Sequence, residues 1–258
     1  MSGENERPVV CVKIGGRALE DASTVGELAK EIVRLNDRYR CVTVHGGGAE
    51  ISRISGVFGL SPEFRDGVRM TRREEMQVVD MVLAGLVNTS LVRAIGPKAV
   101  GVSGCDAGLF VGESIAPDSH TGHILEPDPH ILNVLMGEGW IPVVSSVSAS
   151  SEGVPLNINA DEAALSVSGS LHAKCLVFIS DIDGVLKDHS VVPVLFPSTV
   201  ESAIREGVIT GGMIPKVRAS VAALNDGVDS ISIGSFEHTG DLLDLIDGKR
   251  GSSIQKEQ

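Results

Sequence analysis

Short apolar runs rich in β-branched residues alternate with amphipathic stretches along almost the whole chain, and this alternation is its strongest folding constraint. Val9–Ile14 (VVCVKI) reads as a strand buried on both faces. Residues 22–36 follow, with Val25, Leu28, Ala29, Ile32 and Leu35 at helical spacing. Cys41–Val44 is the next strand, and helices are expected at 49–58 and 71–95, the second capped by Thr71 and stopped by Pro97. Further strands are expected at Lys98–Val102, Trp140–Val147, Val154–Ile158, Cys175–Ser180 and Ser230–Ile233. Helices are expected at 131–137, 161–171, 198–206, 214–225 and 240–246. Crossover helices make successive strands parallel and cover both faces of their sheet. The expected class is therefore α/β, a largely parallel sheet between helices. Antiparallel hairpins near 105–125 and 145–158 are additions to it, and Ser145–Ser151 reads as a turn.

Composition removes several functions. The 258 residues carry a net charge of −12, and aromatics make up 3%. Such a chain lacks the basic footprint and the stacking platforms of a nucleic-acid binder. No apolar run reaches the ~18–20 residues of a membrane helix, and the opening MSGENERP has no signal-like apolar segment, so a cytoplasmic protein is expected. Cys11, Cys41 and Cys175 lie in apolar runs and read as small buried hydrophobes, whereas Cys105 sits in a Gly-rich loop. No C-x-x-C pair occurs, and His120-x-x-His123 lacks accompanying carboxylates, so no metal site is assigned.

In a parallel sheet, phosphate-binding turns lie at the C-terminal strand ends, where Gly-rich loops lead into helix N-termini. Three segments fit: Lys13-Ile14-Gly15-Gly16, His45-Gly46-Gly47-Gly48, and Thr210-Gly211-Gly212-Met213 with Lys216 in the helix that follows. Glycine lets backbone N–H groups come close to phosphate oxygens. The P-loop, dinucleotide, protein-kinase and nucleophile-elbow motifs are all missing. Asn157, Asn159 and Asp161 alternate before an apolar helix, so they either share one side of an extended segment or supply an N-cap. Arg69, in Asp66-Gly67-Val68-Arg69-Met70-Thr71, sits in an expected loop and is either a solvated surface charge or a partner for a carboxylate. Ser180-Asp181-Ile182-Asp183-Gly184 is either an Asp-rich turn or a nucleotide loop.

Six segments in order, Lys13–Gly16, His45–Gly48, Gly67–Thr71, Asn157–Asp161, Ser180–Leu186 and Gly211–Lys216, resemble the N-acetylglutamate kinases of the amino-acid kinase superfamily. The likeness spans about residues 9 to 255. It implies an open, mainly parallel eight-stranded sheet. Residues 1–173 would form an N-terminal lobe for the acyl amino acid and dimerisation, and 174–258 a C-terminal lobe for ATP. It implies phosphorylation of the side-chain carboxylate of N-acetyl-L-glutamate by ATP with Mg²⁺, in arginine biosynthesis, by a homodimer. By the same resemblance, Lys13 and Lys216 contact the transferring phosphoryl, Asp161 orients both lysines, and Gly16, Gly47 and Gly48 donate N–H groups. Arg69, Asn157 and Asn159 would bind substrate. Asp181, Gly184, Val185, Leu186, Thr210, Gly212 and Met213 would line the nucleotide pocket beside Lys13 and Lys216.

Two features set the chain apart within that resemblance. Only about eight polar residues precede the first strand, and 251–254 matches the arginine-regulated ending only in part, so a homodimer insensitive to arginine is expected. Cys105 stands where the family often has Lys. The alternatives are a kinase for carrier-bound aminoadipate or glutamate, and a non-catalytic amino-acid sensor on the same fold.

Overall fold

The structure, a computed structural model, describes residues 7–65 and 67–257. Residues 1–6 of the polar opening and Asp66 of the Arg69 segment lie outside the described residues. Eight strands form the main sheet: β1 (Val9–Ile14), β2 (Arg40–His45), β5 (Ala99–Ser103), β8 (Ile141–Ser145), β11 (Cys175–Ile179), β14 (Val194–Leu195), β15 (Ser230–Gly234) and β16 (Ser252–Gln255). Their order is β14-β16-β15-β11-β1-β2-β8-β5. Every pairing is parallel except β15 with β16. This is the expected mainly parallel eight-stranded architecture.

The alternation of β1 distributes the core. Cys11 joins Val42, Val44, Leu176 and Phe178 on one face, under α6 (Ala160–Ser170) and α8 (Met213–Asn225). Val10, Val12 and Ile14 join Val177 on the other, under α1 (Ala22–Leu35), α4 (Asn88–Ile95) and α9 (Asp241–Ile246). Each such apolar side chain contributes roughly 1.5–3 kcal/mol on burial. Cys11, Cys41 and Cys175 are buried and Cys105 is exposed, as expected. Burial pushes the Cys11 and Cys41 thiols up to about 12, so neither is a nucleophile.

The hairpin expectations hold. β6 (Phe110–Ser114) pairs antiparallel with β7 (Thr121–Pro127), and β9 (Val147–Ser150) with β10 (Pro155–Ile158). The four close into a small barrel. Ser145–Ser151 is not a simple turn, because β9 runs through it. Within it, Ser148 Oγ donates to Phe110 O (2.6 Å), whereas the buried Ser145 hydroxyl has no partner among the described residues. The run Trp140–Val147 is split between β8 and β9, and Trp140 lies outside both.

The expected helix at 71–95 starts later, at α3 (Arg73–Asp80), and passes through a π-helical stretch, Met81–Val87, into α4. Thr71 does not cap it; its N–H donates to Thr121 Oγ1 (2.7 Å) and its hydroxyl accepts from Asn157 Nδ2 (2.8 Å). Contrary to the sequence reading, Arg73–Ile95 is one helical stretch long and apolar enough to cross a membrane by length and composition. Met76, Val78, Val79, Val82 and Leu83 bury it against Ile51 of α2 (Gly48–Val57) and Val147 instead.

Candidate active site

The C-terminal ends of β1, β2 and β11 lie side by side, so the loops that follow them meet. Lys13, at the end of β1, extends to Asp161 in the first turn of α6 (Nζ–Oδ1 2.8 Å). Lys216, in the first turn of α8, reaches the same carboxylate from the other side (Nζ–Oδ2 3.2 Å). Its ammonium also lies 4.9 Å from the Phe178 ring centroid, a cation–π contact that helps to hold it. All three groups are largely buried. Burial pushes the Asp161 carboxyl upward, but the two lysines outweigh it and hold the group below the usual carboxylate range.

Glycines keep this space clear. A Cβ at Gly15 would collide with Lys13 Nζ, so a side chain there would displace the ammonium. Gly16 has φ +57°, and a Cβ on it would lie 2.7 Å from Asp181 Oδ1. It thereby brings the loop after β1 against the loop after β11.

Asn157 and Asn159 do not share an extended face with Asp161. The N-cap alternative holds: Asn159 Oδ1 accepts from the Asp161 N–H (2.8 Å), and the helix places Asp161 toward the lysines. Asn157 is the last but one residue of β10 and turns to Thr71.

Gly47, Gly48, Arg69, Thr121, Asn157 and Asn159 line a cavity of about 420 Å³. Arg69 is not on a loop but on β4 (Val68–Met70), which pairs with β3 (Glu63–Arg65) in a small hairpin. Its guanidinium is buried and donates to Glu75 Oε1 (2.7 Å), Gly48 O (3.1 Å) and Ser52 Oγ (2.6 Å). A second cleft of about 940 Å³ runs along α6 and α8 and contains Asn159, Asp161, Gly212 and Lys216. Asn159 lines both spaces.

On the α8 side, Thr210 and Gly212 are exposed at the helix entry and Met213 is half-buried. Asp181 and Leu186 are exposed in the loop after β11, while Gly184 and Val185 are buried. The Val185 N–H donates to Ser252 Oγ (2.8 Å) and its carbonyl accepts from the Val192 N–H (2.8 Å). Both of its main-chain groups thus shape the loop from within.

Sequence reasoning missed Glu75 and Phe178, whose roles come from contacts distant in sequence. It also missed the anchor of the second glycine turn. His45 is buried, its Nδ1 lies 2.9 Å from Gly46 O, and Nε2 lies 3.1 Å from Asn88 Nδ2. Asn88 also donates to Val143 O (2.8 Å), which assigns the His45 proton to Nδ1. Burial pushes His45 down to about 4, so the ring is neutral near pH 7. Among the described residues no three His, Cys, Asp or Glu side chains come together to hold a metal.

The arrangement gathers two ammonium groups, one bridging carboxylate and glycine-rich strand ends beside a cavity containing an arginine. That chemistry suits an anion that gains charge during a reaction. Residues 8–235 match the model of the amino acid kinase family. An acetylglutamate kinase from Kosmotoga olearia is 36% identical over 249 residues, covering 93% of this chain and 88% of the relative. One from Chloroflexus aurantiacus is 40% identical over 230 residues, covering 86% and 90%. Among solved structures, N-acetylglutamate synthase from Neisseria gonorrhoeae, complexed with coenzyme A and L-arginine, has a TM-score of 0.84 at 25% identity, over 97% of this chain and 62% of that one. Carbamate kinase from Giardia lamblia bound to AMP-PNP shares the fold, with a TM-score of 0.72 at 17% identity over 98% and 100%. With strand order and sequence in agreement, the chain belongs to the amino acid kinase family, among its acetylglutamate kinases.

Proposed function

We propose that the chain transfers the γ-phosphoryl group of ATP to the side-chain carboxylate of N-acetyl-L-glutamate, giving N-acetyl-L-glutamyl 5-phosphate in arginine biosynthesis. The observation that carries this is the Lys13–Asp161–Lys216 bridge beside the cavity lined by Arg69 and Asn157. A carboxylate oxygen attacks the γ-phosphorus, and the bond to the ADP oxygen breaks with its electron pair. A glutamate side chain has an ordinary pKa of ~4.3, so the nucleophile is ionised at neutral pH and needs no general base. The remaining task is to position the reactants and neutralise charge on the transferring group.

In this reading Lys13 meets the phosphoryl from the acceptor side and Lys216 from the nucleotide side. Gly16, Gly47 and Gly48 offer main-chain N–H groups. Arg69 takes the α-carboxylate, and Asn157 and Asn159 take the acetamide end. Asp181, Gly184, Val185, Leu186, Thr210, Gly212 and Met213 border the nucleotide. Mg²⁺ would enter on the ATP phosphates; among the described residues no three His, Cys, Asp or Glu side chains come together to hold it, and no protein ligand is assigned.

Residues 1–173 then serve the acyl amino acid and dimerisation, and 174–258 serve ATP. They are halves of one sheet, joined by β1 against β11. The same reading makes the enzyme a cytoplasmic homodimer. ADP release should be measured with N-acetyl-L-glutamate, N-acetyl-L-aspartate and free L-glutamate. Turnover with the first, far above the others, is expected. Silence with free N-acetyl-L-glutamate would overturn the reading in favour of a carrier-bound acceptor or a sensor.

A further inference from the structure

Arg69 has a buried partner that takes no part in lining the cavity. Glu75, in α3, is 2% exposed and accepts from Arg69 Nη1 (2.7 Å). Its other oxygen, Oε2, is buried with no hydrogen-bond partner among the described residues. Arg69 lines the 420 Å³ cavity together with Gly48 and Ser52, the partners of its Nη2, whereas Glu75, the partner of Nη1, does not. Phe64 covers the guanidinium plane at 4.8 Å.

The bonding leaves Arg69 with a restricted grip. A guanidinium holds a carboxylate with two parallel N–H groups along either of two edges, and both edges use an Nη2 hydrogen. Here Nη2 already serves two acceptors, Gly48 O and Ser52 Oγ. A bound carboxylate must therefore accept a single N–H or displace an existing bond. It also approaches a cation whose charge Glu75 offsets from behind.

We infer that Glu75 is a positioning residue that fixes Arg69 and weakens its hold on the α-carboxylate of the acyl amino acid. The inference rests on the reading of Arg69 as the α-carboxylate site. It has a physical rationale. The α-carboxylate is unchanged in the acyl phosphate product, so a tighter grip on it would bind substrate and product alike. Such uniform binding does not speed phosphoryl transfer and slows product release.

The test uses Glu75→Gln, which keeps an acceptor for Arg69 but removes the charge, and Glu75→Asp, which keeps the charge on a shorter arm. Both are assayed with N-acetyl-L-glutamate and with 4-acetamidobutanoate, which has the reacting carboxylate but no α-carboxylate. Removing a like charge on the far side of the guanidinium, about 8 Å from a bound carboxylate at an effective dielectric of about 20–40, should lower KM for N-acetyl-L-glutamate by about five- to thirtyfold. KM for ATP and for 4-acetamidobutanoate should hold within about twofold, a selectivity that general loss of structure would not produce. Glu75→Asp should raise KM for N-acetyl-L-glutamate, because the guanidinium loses its fixed position without losing its counter-charge.

Equal changes for the two acceptors in both variants would overturn the inference, as would an unchanged or raised KM in Glu75→Gln. Wild-type enzyme that turns over N-acetyl-L-glutamate but binds it no more tightly than 4-acetamidobutanoate would remove the Arg69 premise alone. No turnover of either acceptor would remove the kinase reading and this inference with it.

Discussion

Asp161→Asn separates the two roles a buried carboxylate could play between two lysines. Asp161 touches Lys13 at 2.8 Å and Lys216 at 3.2 Å, so these distances keep the ammonium groups within about 8 Å of each other. At an effective dielectric of about 20, two cations at that separation repel by about 2 kcal/mol. Asparagine keeps the shape and one acceptor but cannot offset that repulsion. Lys13 and Lys216 should drift apart, and the phosphoryl should lose simultaneous contact with both. A loss of about 2–3 kcal/mol of transition-state stabilisation corresponds to a kcat roughly 30- to 150-fold lower. KM for N-acetyl-L-glutamate should move little, since its proposed contacts lie in the neighbouring cavity.

The assay is coupled ADP release from pH 6 to 9, with circular dichroism to establish that the variant is folded. The lysines hold the Asp161 carboxyl below the usual range, so it is ionised throughout this window and is a poor proton acceptor. The ratio of wild-type to variant rate should therefore be flat with pH. A deficit that vanished toward pH 9 would make Asp161 a general base. A kcat near that of the wild type would remove the orienting role.

Other outcomes follow from the same geometry. Lys216→Ala should cut kcat by at least about a hundredfold, with the fold retained, because a charge aimed at the phosphoryl is lost; near-normal kcat would refute its role. Arg69→Ala should raise KM for N-acetyl-L-glutamate more than KM for ATP, and equal increases would place Arg69 outside the substrate contacts. His45 has a folded pKa of about 4 against an ordinary value of 6.5, so its stabilisation is full above pH 6.5 and is lost as pH falls toward 4. Chemical denaturation should show about 2 kcal/mol lost by pH 5, and His45→Gln should remove most of that slope. With a net charge of −12, raising ionic strength from 50 to 150 mM should leave kcat/KM flat or slightly higher, whereas a steep fall would point to long-range attraction of the anionic substrates.

What was legible in the sequence had a local cause. The β1 run VVCVKI is apolar on both sides because helices cover both faces, and that burial is found. Lys13 and the two glycine turns could be placed at strand ends because strand, glycine and helix adjoin in the chain. The last strands at the β14 end of the sheet were not legible, whereas the opposite edge, β5, was expected almost where it lies. β16 is the polar run SSIQ, and its Ser252 is buried through a hydrogen bond from the Val185 N–H, 67 residues away, rather than through apolar contact. β14 and the β3–β4 hairpin are two and three residues long per strand, too short for any period to register.

The site divides along the same line. Residues proposed to face a phosphate, such as Gly16, Lys13 and Lys216, announce themselves by their place at a strand end or a helix start. Residues that hold those groups in place do not. Glu75 sits in a run, Arg72-Arg73-Glu74-Glu75, that reads as a solvated helix start, yet tertiary packing buries it under Arg69. His45 looks like a phosphate-loop residue, yet its ring is buried beside Asn88 and Val143. The net charge misleads in the same way. An acidic chain is a poor collector of anions at long range, and with a screening length of about 8 Å at physiological salt that field barely reaches a ligand. In the proposed function, binding rests instead on three cations at the candidate site, Lys13, Lys216 and Arg69. Two are held by one shared carboxylate and the third by another, so in the proposed function the affinity for anions follows how firmly Asp161 and Glu75 hold their partners.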